Sequence, residues 1–222
     1  FYFQMAAATN GIEIGKDVIL KNMTPGEQMI LPKGMAAVVP WDPTPTMMVE
    51  ERKNARIIDT IYPYNMYEGQ FYVRQELIAN VPDVVQALSD AYAEAVLWIR
   101  LYPDQAANLM AQDPNLKNFS KAILLQQIKA YNNLYKPTYI YPHASFWGGV
   151  NEAIFTWLYQ NKRIQKPLTA KDFAAAVETQ FMDRTFAKLG WAIPKTPPFI
   201  PKNWQGQVNK IPYPEYMHAS NT

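Results

Sequence analysis

Apolar positions follow two patterns along the chain. In the first sixty residues, short apolar runs alternate with short stretches of helical spacing. FYFQMAAA places Phe1, Met5 and Ala8 at helical intervals, and Asn10-Gly11 closes the stretch. DVILKNM is a branched apolar run that predicts a strand. TPGEQMILPKG predicts a helix with Thr24 as N-cap, Pro25 at the first helical position and Glu27 completing a capping box. MAAVVP predicts a buried parallel strand that ends in WDPTPT. MMVEERKNA predicts a helix and ARIIDT a third strand. The order α-β-α-β-α-β predicts an α/β fold class built on a mostly parallel sheet.

The pattern changes after a Tyr-rich connection, YPYNMYEGQ. FYVRQELIA predicts a strand turning into a helix. From Pro82 onward the spacing is helical throughout. PDVVQALSDAYAEAVLWIR predicts a buried stripe of Val85, Leu88, Tyr92, Val96 and Ile99. PDQAANLMAQ predicts a short helix. SKAILLQQIKAYNNLY predicts another, capped by Ser120, with Leu124, Ile128, Tyr131 and Tyr135 on one face. KPTYIYPHASFW predicts a loop and NEAIFTWLYQNKR a helix. TAKDFAAAVETQFMDRTFAKLG predicts one long helix from the Thr169 cap to the Gly190 stop, with Phe173, Val177, Phe181 and Leu189 in its stripe. The chain thus divides into an α/β part over 1–60, a crossover or hinge over 61–80, a helical region over 81–190 and a Pro- and aromatic-rich tail over 191–222.

Composition narrows the chemistry. The net charge of +2 lacks the basic excess of a dedicated nucleic-acid binder. The absence of cysteine removes disulfides, thiolate catalysis and Cys-based metal sites. Two histidines without cysteine do not make an ordinary zinc site. No apolar run has the length of a membrane span. Zinc-protease, nucleophile-elbow and phosphate-loop motifs are absent, and no cofactor is expected. Aromatics reach 14%, including 14 Tyr and 6 Trp, which suits a pocket lined by rings with polar tips.

Several residues are candidates for ligand binding. Trp41 and Asp42 end the run MAAVVPW, at the carboxyl end of an expected strand, where α/β sheets bind ligands. Trp41 would stack on the ligand and Asp42 accept hydrogen bonds from it; the competing reading is a turn set by Asp-Pro. Tyr62, Tyr64, Tyr67 and Phe71 would line a cleft wall or pack at a hinge. Arg74 would hold a carboxylate or sulfonate, or form a surface ion pair. His143, in YPHASFWGG with Trp147, would close a pocket mouth or cap a helix. The dispersed Met residues suit core filling, and Glu50, Glu51 and Asp172 suit solvated helix surfaces.

Taken in order, Asp17-Val18, Asn22-Met23, Glu27, Trp41-Asp42-Pro43, Val81-Pro82-Asp83, and Trp98 through Pro103 to Ala106-Ala107 resemble the substrate-binding proteins of ABC importers. The branch is the nitrate, sulfonate, taurine, bicarbonate and thiamine-precursor group, and the likeness runs over residues 1–190. No single motif is specific; their order and spacing are. The resemblance implies a two-lobed fold of which this chain holds part of the second lobe, with a first lobe and an anion-binding loop expected upstream of Phe1. FYFQ by itself looks like the remnant of a cleavable tag, LYFQ, but its helical continuity with MAAA favours a native helix, which would put Tyr2 near the cleft. The implied function is capture of a small organic or oxyanionic solute by lobe closure and delivery to an ABC permease, in the periplasm or lipid-anchored outside the cytoplasm, without catalysis. Desulfinases and a pyrimidine synthase share that scaffold, so an enzyme is the alternative, and a ligand-sensing domain a third reading.

Overall fold

The computed structural model describes residues 2–58, 71–134 and 140–193. Among them the chain is 58% helical and 1% strand. The parallel-sheet α/β class is therefore corrected: the only strand pairing in the described residues is an isolated bridge between Ile14 and Val18. The described residues of the three runs expected as strands take up no sheet. Their apolar side chains stand in solvent, with Ile19 87% and Ile58 75% exposed and Val39 also exposed. A branched apolar run has the conformational bias of a strand, but a strand exists only by hydrogen bonding to a neighbour, and none is in place here.

The helices follow local signals closely. α1 (Tyr2–Thr9) ends before Gly11, whose φ of 68° suits a residue without Cβ. α2 (Pro25–Met29) carries the full capping box: Glu27 N–H donates to Thr24 Oγ1 at 3.3 Å and Thr24 N–H to Glu27 Oε2 at 2.7 Å. α3 (Thr44–Thr46) runs into a π-helical turn, Met47–Glu51, rather than the longer α-helix expected there. Thr44, Met47 and Met48 are buried, and Gln127 donates to Thr46 Oγ1 at 2.8 Å.

α5 (Pro82–Leu101) is the spine of the fold, because α4 (Gln75–Asn80), α6 (Pro103–Met110), α7 (Lys121–Leu134) and α10 (Gln180–Leu189) all pack on it. Ala106 and Ala107 of α6 and Leu124 and Ile128 of α7 form one buried cluster, with Ile99 of α5 against it. Ser120 caps α7 as expected, accepting from Ile123 N–H at 3.2 Å.

The buried stripe of α5 is rotated from the expected one. Val85 and Ala93 are buried, while Leu88 and Tyr92 remain exposed. The reason is polar. Thr185 of α10 is fully buried and its hydroxyl lies 2.7 Å from Asp90 Oδ1, 2.8 Å from Ser89 Oγ and 3.0 Å from Gln86 Nε2. Lys188 closes the group on Asp90 Oδ2 at 2.9 Å. That bond, with those from Thr185 and Gln86, holds the Asp90 carboxyl below the usual carboxylate range. Hydrogen bonding between Gln86, Ser89 and Asp90 and α10 thus outweighs burial of Leu88 and Tyr92.

The expected long C-terminal helix is two helices. α9 (Ala170–Ala176) is capped by Thr169, and the chain leaves helical geometry at Val177 (φ −92°, ψ 122°) before α10 begins. α9 packs on α8 (Ala144–Gln160) and α10 on α5, so one straight rod would not serve both partners. α8 starts within the segment expected to be a loop. Gly148 explains its closeness to α9: a Cβ there would sit 2.6 Å from the Ala170 carbonyl oxygen. Gly190 ends α10 with φ 69°, as expected.

Two substitutions test this packing. Gly148→Ala gains helix propensity of up to about 1 kcal/mol but must displace a backbone carbonyl, so a net loss of roughly 1–2 kcal/mol is expected in thermal unfolding followed by circular dichroism. Thr185→Val keeps the shape and strips the hydroxyl from Asp90, Ser89 and Gln86, with an expected cost of about 2 kcal/mol in urea unfolding.

Candidate ligand-binding site

Trp41 and Asp42 stand where the chain leaves an irregular segment and enters α3. The turn is held by Thr44 N–H donating to the Trp41 carbonyl at 3.1 Å and by Thr46 Oγ1 donating to Asp42 Oδ1 at 3.1 Å. Burial of Thr44, Met47 and Met48 anchors this turn from beneath. The Trp41 ring faces outward, 68% exposed, beside an exposed carboxylate. A large ring left in water next to an acceptor offers stacking and hydrogen bonding to an organic solute. The turn reading and the site reading are compatible, because the turn is what presents the ring.

Phe71 lies on the exposed side of α5, with its ring centroid 5.7 Å from that of Tyr92. Arg74, three residues on, lines an open cavity of about 600 Å³ with Gln75, Glu76 and Ala79. Tyr2 is the first residue of α1. Tyr62, Tyr64 and Tyr67 lie outside the described residues.

His143 is the N-cap of α8, although its side chain makes no capping bond. Its ring meets Tyr141 edge-on at 5.4 Å, and Nε2 is buried without a hydrogen-bond partner. Burial holds the imidazole pKa below its ordinary value. Tyr141 donates to Asp183 Oδ1 of α10 at 2.6 Å and packs edge-on against Phe186 at 5.3 Å. Burial, then the bond and charge of Asp183, push the Tyr141 phenol up to about 12.

Among the described residues no hydrogen bond or ring contact joins Trp41–Asp42, Phe71 and His143. The first belongs to the α3 turn, the second to the α5 surface and the third to the junction of α8 with α10. Trp41 and Asp42 stand exposed together at one turn; His143 is part of the packing. Tyr141 and Asp183 were not singled out from the sequence, and across their separation of 42 residues no periodic signal joins them. No group of three or more His, Cys, Asp or Glu able to hold a metal occurs among the described residues, and no helix there is long and apolar enough to cross a membrane. Comparison of the chain with protein-family models, with curated proteins and with solved structures finds no match.

The Tyr141 shift carries a sign. A phenol whose folded pKa lies above the unfolded value of 10.0 contributes stability that is complete below pH 10 and lost as pH rises toward about 12. Tyr141→Phe is expected to flatten the fall in melting temperature between about pH 10 and 12, while costing about 1 kcal/mol at pH 7 through the lost bond to Asp183. Thermal melts across that range check both effects.

Proposed function

We propose that this chain is a solute-binding component of an ABC importer, taking up a small organic or oxyanionic solute and presenting it to a permease outside the cytoplasm. The observation that supports it most is the exposed Trp41 ring beside the Asp42 carboxylate, in the Trp-Asp-Pro position of the ordered motifs described above. The reading rests on that order and on this ring, and not on a sheet. An aromatic face and an acceptor fit an organic solute with a polar group better than a bare inorganic anion. Binding, not turnover, is the expected activity.

The test is a titration panel of nitrate, bicarbonate, taurine, an alkanesulfonate and a pyrimidine thiamine precursor, read by calorimetry and thermal shift. At least one organic member is expected to bind and raise the melting temperature, since a ligand that binds only the folded state stabilises it. Trp41→Ala removes an exposed ring, so the fold should persist while affinity falls by about fivefold, the equivalent of about 1 kcal/mol of stacking. Absence of binding by every member would reject the proposal, and conversion of a bound member to product would replace it with an enzyme.

A further inference from the structure

We propose that His143 is an acid-sensitive latch, whose neutral imidazole keeps the segment leading into α8 docked on α10 through Tyr141 and whose protonation releases it. Three geometric facts carry this. The ring sits at the N-cap of a 17-residue helix, where the helix dipole disfavours a cation. Its Nε2 is buried with no acceptor, so a proton added there has nothing to donate to and draws water into the junction. The ring also lies against Tyr141, the same side chain that ties this segment to α10 through Asp183 and Phe186. Movement of the imidazole therefore acts directly on the Tyr141–Asp183 bond.

The neighbouring charges do not offset the cost. On the α10 side, Asp183 is engaged by the Tyr141 hydroxyl and by Thr179, whose Oγ1 lies 3.3 Å from Asp183 Oδ2. On α9, packed against α8 near Gly148, the ionisable groups of the first turn are Lys171 and Asp172, both exposed, with Asp172 committed to its Thr169 cap. On α8 itself Glu152 is exposed. None of these bonds to the imidazole. Burial alone lowers the His143 pKa, which agrees in direction with the geometry. The sign follows: stability is complete above the ordinary value of 6.5 and is lost as pH falls below it toward the depressed folded pKa.

Proton NMR of the full chain resolves the titration, since there are two histidines and the His143 signal is the one lost in His143→Gln. Its midpoint is expected below 6.5, with amide exchange of residues 147–149, the first to bond within the helix, corrected for intrinsic rates, rising several-fold from pH 7.5 to pH 5. In His143→Gln that rise should vanish; His143→Asn, with a side chain suited to an N-cap, serves the same purpose if the Gln variant does not fold. A midpoint at or above 6.5, no rise in exchange, or an equal rise in the variants would overturn the latch.

Discussion

The attachment of α10 to α5 is the constraint on which the described fold depends. It centres on one buried hydroxyl, that of Thr185, placed among Asp90, Ser89 and Gln86, with Gln86 also donating to the Phe181 carbonyl and Lys188 closing the group at the surface. Polar groups taken out of water must find partners, and here they find them across about a hundred residues of chain. That requirement fixes which face of α5 turns inward. α4, α6 and α7 then pack on the same helix, and the apolar cluster of α6 and α7 grows from its far end. Phe181 and Phe186, also buried, surround the polar group on α10 with apolar bulk.

Much of the helical part was legible in the sequence, because its signals are local. Thr24, Ser120 and Thr169 cap the helices they were expected to cap, and Gly190 ends the last one. The misreadings were non-local. DVILKNM, MAAVVP and ARIIDT have strand composition, but composition cannot supply the neighbour that a strand requires. Leu88 and Tyr92 fit an apolar stripe by spacing, yet the Thr185 hydroxyl turned Ser89 and Ala93 inward instead. The break at Val177 separates a helix that serves α8 from one that serves α5, a division invisible in a stripe of continuous period.

The candidate site divides in the same way. Asp-Pro is a local turn signal, and the turn it makes is what holds Trp41 out in solvent. His143 stood out by its rarity, but its ring packs on Tyr141, which is tied to Asp183 of α10 forty-two residues on, and that makes it a packing residue. A solute-binding role asks for a presented ring on a firm base, and the buried Thr44, Met47 and Met48 supply that base. Ile19, Val39 and Ile58 are also exposed, on backbone outside any helix or strand.

Residue-level hydrogen–deuterium exchange of the intact chain at neutral pH is the most direct measure of this arrangement. Slow exchange is predicted for the amides of α5 and α10, which are bonded within helices joined by the Thr185 group. Fast exchange is predicted for residues 19–23, 36–39 and 55–58, whose backbone pairs with no strand. Protection in those segments equal to that of α5 would contradict the account, since it would require the sheet that the described fold lacks.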